Sequence, residues 1–272
     1  MIVVNDKVQI PVQLLEYVQE NKLVKAFAVF MYLKCMSGGK MRNTQDAFIA
    51  MPEVIGIKDT RTINKHLKTL LKLNWIGFNT ATDDYFVRGI GYIRKQHGFK
   101  QRKAATFHFK DIQKMQAFVA GSIISSNIKA QQYFFEVAQR GRLKSATMNQ
   151  GVAKQDRSLT STATIQKPAY YGLGIYSMAK ILFCKPTRAC ELKQEAEAAG
   201  FIKAQNKFRE IATFEKSDTT IRGKMAYAED VKRIRFKKIR RNKKNMVAML
   251  EQLHDEIKPK VDFKKIKRFN HL

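Results

Sequence analysis

The sequence is poor in the features that metal chemistry, oxidative cross-linking or membrane insertion would require. Its cysteines, Cys35, Cys184 and Cys190, are odd in number and lack paired short spacing, so neither a disulfide framework nor a zinc module is indicated. The histidines, His66, His97, His108, His254 and His271, are scattered, and none forms a ligand pattern with a cysteine or carboxylate. No run of about 20 apolar residues is present to span a bilayer, and no charged, apolar and cleavable leader opens the chain. A cytoplasmic protein with no membrane partner is expected. Acid is scarce as well: 23 Asp+Glu stand against 51 Lys+Arg, a formal net charge of +28.

Catalytic signatures are missing too. Gly89-Ile90-Gly91 lacks the rest of any phosphate-binding fingerprint. Asp83-Asp84 has no partner acid or histidine and reads as turn chemistry rather than a two-metal site. Tyr170, Tyr171 and Tyr176 lack the histidine pair or arginine constellation that a strand-transferring tyrosine needs. The chain is expected not to be an enzyme and to need no cofactor and no metal.

What is present is a foldable, strongly cationic chain. Hydrophobic residues make up 44% and aromatics 10%, enough for packed cores rather than a disordered basic tail. A length of 272 residues accommodates two domains. So large a positive field calls for a polyanion. Nucleic acid leads, because each neutralised phosphate releases a condensed counterion, and an anionic membrane surface is the rival.

From Lys22 to Met36 the residues Leu23, Ala26, Phe27, Phe30 and Leu33 recur at helical spacing, and Ser37-Gly38-Gly39 stops them. Ala47 to Ile57 reads as a second helix, broken or restarted at Pro52. Asp59 or Thr60 caps a third, Arg61 to Lys72, with Ile63, Leu67, Leu70 and Leu71 on one face and Arg61, Asn64, Lys65, Lys68 and Lys72 on the other. Trp75 to Phe78 and Tyr85 to Arg88, flanking a polar tip, read as a hairpin.

A second copy of this pattern follows. Lys185-Pro186-Thr187-Arg188 echoes Lys58-Asp59-Thr60-Arg61, and Gly200-Phe201-Ile202 echoes Asn74-Trp75-Ile76. Tyr176 to Phe183 is a candidate preceding helix. Ile202 to Gln205 and Phe208 to Ile211, split by Asn206-Lys207, suggest a tight second hairpin. Asp111 to Gln139 reads as one long or two shorter helices, and Leu143 to Ala169 as a mobile loop or linker. From Lys232 to Lys244 nine of thirteen residues are Lys or Arg, and the lack of Gly or Pro predicts a long basic helix from about Tyr227.

Three helices and a hairpin, with the third helix amphipathic and basic, is the order of a winged helix-turn-helix. The stretch Ile57-Lys58-Asp59-Thr60-Arg61-Thr62-Ile63 through Trp75-Ile76-Gly77-Phe78 resembles that family. Two such modules in one chain resemble plasmid and phage replication initiators, in which paired winged helices bind repeated origin sequences from adjacent grooves. The expected fold is mainly α with small β-hairpin wings: two winged-helix modules joined by helices and a loop, with a basic C-terminal helix. The corresponding boundaries are an N-terminal winged helix over 1–109, connecting helices over 110–142, a loop over 143–169, a second module over 170–222 and a basic helix and tail over 223–272.

The resemblance implies a sequence-specific binder of double-stranded DNA, an initiator of a plasmid, phage or other mobile element. A transcription regulator and a non-specific nucleic-acid coat remain alternatives, RNA stays open as a ligand, and a homodimer is compatible with the reading. Base readout falls to Arg61, Thr62, Asn64 and Lys65, and in the second module to Thr187, Arg188 and Glu191. Glu191, Glu195 and Glu197 repel phosphate, so a protein-facing role for the second helix is as good a reading. Phosphate contacts fall to Lys58, Lys68 and Lys72; to Arg94, Lys95, Lys100, Arg102 and Lys103; to Lys185, Lys203, Lys207 and Arg209; and to Lys232, Arg233, Arg235, Lys237, Lys238, Arg240, Arg241, Lys243 and Lys244.

Overall fold

The structure is a computed structural model that describes residues 4–42, 46–57, 59–149, 169–215, 234–241 and 243–267. Strand β1 (Lys7–Pro11) runs into helix α1 (Val12–Glu20) through Pro11, whose extended backbone starts the helix without a side-chain cap. Helix α2 (Val24–Met36) buries every residue except Lys25 and Lys34. A helix apolar all round must be enclosed on all sides. Ser37 ends it, its hydroxyl donating to the Leu33 carbonyl at 2.6 Å. Each large side chain buried here contributes roughly 1.5–3 kcal/mol, and Phe27 and Phe30 pack within 6.2 Å and 5.7 Å of the Trp75 ring.

Strand β2 (Lys40–Arg42), short helices α3 (Asp46–Ile49) and α4 (Met51–Ile55), helix α5 (Thr60–Lys72) and strands β3 (Ile76–Asn79) and β4 (Asp84–Val87) follow. The expected second helix is thus two, parted at Ala50 just before Pro52. Gly56, with φ +77°, makes the left-handed exit from α4. Strand β4 lies between β2 and β3. Helix α6 (Ile90–Gln96), strand β5 (Lys103–His108), a 3₁₀ turn (Phe109–Lys114) and the long helix α7 (Met115–Asn149) come next, so the expected loop from 143 begins inside a helix.

After residues 150–168, which lie outside the described set, strand β6 (Tyr171–Leu173), helix α8 (Ile175–Ile181), helix α9 (Pro186–Ala198) and strands β7 (Ile202–Glu215), β8 (Ile234–Arg241), β9 (Lys244–Pro259) and β10 (Phe263–Lys265) complete the chain. Here β9 lies between β6 and β7, and β8 joins its far end. The order α2, β2, α3–α4, α5, β3, β4 therefore recurs as α7, β6, α8, α9, β7, β9, with β8 inserted before β9. In each, the first strand pairs with the last and the last with the middle one.

One continuous buried cluster runs through both halves. Helix α7 packs on α1 and α2 on one side and on α9 on the other. At its crossing with α9 a Cβ on Gly121 would lie 2.6 Å from the Phe201 Cβ and 3.4 Å from the Ala196 Cβ, so glycine is what allows the close approach. A third sheet, ordered β1-β5-β10, brings the last described strand against the N-terminal half. Gln19 on α1 also donates to the Leu182 carbonyl at 3.3 Å.

The structure corrects three further expectations. The basic C-terminal helix is two antiparallel strands: Arg241 pairs with Lys244, Lys243 takes a left-handed φ of +63°, and the chain reverses between the two paired residues. The tight second hairpin at Asn206-Lys207 is not formed, because β7 runs straight through both residues in register with β9. Helical periodicity failed here because the apolar residues of the ribbon serve two faces of a sheet rather than one stripe. Finally, Arg94 and Lys103 do not lie open to phosphates, for reasons given below.

Candidate nucleic-acid interface

Helix α5 begins at Asp59, whose carboxylate accepts from the Arg61 backbone N–H at 2.9 Å and from the Thr62 hydroxyl at 3.0 Å. This satisfies one of the otherwise orphaned N–H groups of the first turn. Ile63, Leu67 and Leu70 are buried against the core. The spacing of three and four residues then places Arg61, Asn64, Lys65, Lys68 and Lys72 on the outward side, where all are exposed. With Thr69 they line a recess of about 510 Å³. Among the described residues no ion pair engages these cations. The stripe is a row of fixed donors with unopposed charge. Thr62 is half-buried and its hydroxyl is occupied by the cap, so it stands beside the stripe rather than on it.

Sequence reasoning missed what holds this helix in place. Asn74, in left-handed conformation with φ +54°, closes its C-terminal end and donates to the Tyr92 hydroxyl at 2.8 Å. The Trp75 indole donates to His97 Nε2 at 3.1 Å, and burial keeps the His97 imidazole below its usual range, in the neutral form that can accept. On the first hairpin Asp84 is buried and bridges Lys40 at 2.7 Å and Arg42 at 3.5 Å. Hydrogen bonds from Lys40 and Thr82 hold its carboxyl below the usual range. The alternation Lys40-Met41-Arg42, with only Met41 buried, was the strand signal for this clamp.

Helix α9 occupies the matching place in the second repeat and is built differently. Arg188 donates to Glu191 at 2.7 Å and to Glu195 at 3.1 Å on its own helix. Lys193 is buried and bonded to Asp255 of β9. Glu197 accepts from the Ala204 backbone N–H at 2.9 Å. Thr187, Glu191 and Gln194 face solvent. The charges of this helix are matched inside the protein.

Comparison with known protein families, characterised proteins and solved structures finds no match.

The clusters after the first hairpin divide. Lys95, Lys100 and Arg102 are exposed. Arg94 is 5% exposed and donates to the carbonyls of Gln101 and Lys267, both at 3.2 Å. Lys103 donates to the Ser126 carbonyl at 2.9 Å and sits over the Phe263 ring at 4.6 Å; burial, then the neighbouring Lys129, pushes its ammonium down to about 8. Arg102 reaches the Ile266 carbonyl at 3.0 Å. These side chains staple β10 in place, since a buried cation needs partners. A basic run in the sequence does not distinguish a staple from a surface patch.

In the C-terminal region Lys185, Lys203, Lys237, Lys238, Arg240, Arg241, Lys243 and Lys244 are exposed. Lys207, Arg209 and Arg235 are placed here only by their strand positions, while Lys58, Lys232 and Arg233 lie outside the described residues. Among the described residues no group of three or more histidines, cysteines or carboxylates comes together to hold a metal, and no helix is long and apolar enough to cross a membrane.

Proposed function

We propose that the protein binds double-stranded DNA in a sequence-specific manner through α5 and serves as a replication initiator of a plasmid, phage or other mobile element. The observation that carries the reading is the exposed, capped and unopposed stripe of Arg61, Asn64, Lys65, Lys68 and Lys72 on a helix whose opposite face is locked into the core. A rod of this width enters the major groove, where Arg61 and Lys65 suit guanine O6 and N7, Asn64 suits adenine N6 and N7, and Lys68 and Lys72 suit phosphates. The element order, with a hairpin after the helix and a sheet ordered first-last-middle, supports a winged-helix reading, and its recurrence supports two such modules. The net charge of +28 supplies the long-range attraction.

Selection of bound sequences from a random duplex pool by the full chain tests the reading. Recovery of a discrete motif, with repeated copies beside a replication origin, is the expected result. A single promoter-like site points instead to a transcription regulator. Recovery of the unselected pool removes sequence-specific binding altogether and leaves a nucleic-acid coat. Competition with structured RNA decides between nucleic acids.

A further inference from the structure

We infer that the ribbon formed by β7, β9 and β8, rather than α9, is the element by which the second repeat holds DNA, and that it grips phosphates without reading bases. The inference rests on the DNA-binding reading above and specifies how the second half of the molecule takes part in it.

Strand β9 is paired at its base to β6, with Leu173 opposite Asp255, and then continues to Lys244, with β7 beside it as far as Met246 and β8 on its other side from Glu251 to Lys244. Those eleven steps extend about 35 Å at the usual rise per residue, close to one helical turn of duplex DNA, about 34–36 Å. Register shifts at Lys207/Phe208 and Glu210/Ala212 bend and twist the ribbon partway along.

Over residues 234–244 seven of eleven residues are Lys or Arg and none is acidic. By register Phe236, Lys238 and Arg240 share a face with Val247, Met249 and Phe214, while Lys237, Ile239 and Arg241 share the other with Ala248, Met246 and Lys244. Val247 and Ala248 are buried at the centre, which gives the ribbon a spine of its own. Glu210 pairs with Arg241 and Glu215 with Lys244. Lys237, Lys238, Arg240 and Lys243 have no acidic partner among the described residues. Charges that merely guarded an edge strand against strand addition would be needed only along β8; here they also occupy the turn and the start of β9.

Width decides the mode of contact. Between Met246 and Glu251, where β9 pairs with both β7 and β8, three strands place the outer backbones about 10 Å apart before side chains are counted. The minor groove, about 6 Å wide, excludes such a body, and the major groove, about 12 Å, is filled by its backbone alone. The ribbon must then lie across the phosphates. Helix α9 meanwhile acts as its root: Lys193 binds Asp255 of β9 and Glu197 binds the backbone of β7. Its one outward arginine is already bridged twice on the same helix.

The test measures DNA affinity of the full chain across salt concentrations, on the selected duplex and on a scrambled one. Three variants accompany the parent: Lys237→Gln/Lys238→Gln/Arg240→Gln/Lys243→Gln in the ribbon, Thr187→Ala/Arg188→Ala in α9, and Asn64→Ala in α5. The ribbon variant is expected to lose affinity equally on both duplexes, and its slope of log K against log salt to become shallower by about 3–4, near 0.9 for each phosphate no longer neutralised. The α9 variant should stay within twofold of the parent. Replacing Lys237, Lys238 and Lys243 by Arg should keep the parental slope. On the parent itself, duplex DNA should protect Lys237, Lys238 and Lys243 from acetylation and leave Lys185 open. A ribbon variant with the parental slope, or ribbon lysines acetylated equally with and without DNA, overturns the inference even while Asn64→Ala abolishes site preference and the DNA reading stands. A parent that binds neither duplex overturns both.

Discussion

Helices α5 and α9 are each thirteen residues long and hold the same place in two copies of one strand order. On α5 the cations point outward unopposed, whereas on α9 each described charge, save at the helix ends, meets a partner within the protein. The hairpins differ in the opposite sense. The first is short, four residues a side, and clamped by a buried carboxylate; the second, β8 and β9, has an 8-residue and a 16-residue strand and carries a dense run of cations. One topology thus places its exposed positive charge on the helix in one copy and on the sheet in the other. Topology sets where a charge can stand, and local pairing sets whether it is free.

The largest expected break in this comparison comes from α5. Removing its readout side chains together, as Arg61→Ala/Asn64→Ala/Lys65→Ala, should cost about 1–3 kcal/mol for each well-formed base pairing removed, so specific binding should fall by two orders of magnitude or more while non-specific binding falls far less. Titration on selected and scrambled duplexes measures both. Equal loss on every sequence reduces the stripe to phosphate contacts.

Next is the junction that makes the two copies one body. Gly121→Ala pushes a methyl group into Phe201 and Ala196, and overpacking of this kind costs about 1–3 kcal/mol. Thermal or denaturant unfolding should show a lower midpoint with both halves still melting together. Unchanged stability would mean that α7 and α9 shift apart easily. A smaller effect should sharpen the contrast directly: Glu191→Gln/Glu195→Gln frees Arg188, and with α9 held off the phosphates DNA affinity is expected to rise no more than about twofold, with the parental salt slope. A larger rise with a steeper salt slope would show that α9 lies against phosphates after all.

The smallest effect concerns the first hairpin. The Asp84 carboxyl is held below its usual range by Lys40 and Thr82, so the folded state binds its proton less readily than the unfolded chain. Its stabilisation is present above the ordinary carboxylate range and is lost as pH falls through the lowered value. Asp84→Asn should therefore lower the melting temperature at neutral pH and make no difference in strong acid. Melting curves of both proteins across that range would show the gap closing.

The first copy was legible because its signals are local. Ile63, Leu67, Leu70 and Leu71 mark one helical face, Asp59 marks the cap, and the apolar stretches around Asn79–Asp83 mark the hairpin. The second copy's helices were legible from Pro186 and the stripe Ala189, Leu192, Ala196. Its ribbon was not, since alternation of Ile234, Phe236 and Lys238 is overwritten by a charge density that suits helix and strand alike, and the partners of β9 are distant in sequence. The same limit hid the roles of Arg94 and Lys103, which depend on carbonyls of Lys267 and Ser126 brought near only by folding.

Strands β1 and β10 lie on opposite sides of β5 and both run antiparallel to it. Lys7 sits opposite His108 at one end of β5, while Lys265 sits opposite Lys103 at the other. Tension drawing the two flanking segments apart therefore slides β1 and β10 in opposite directions along β5, loading the hydrogen bonds side by side in shear instead of opening them one at a time.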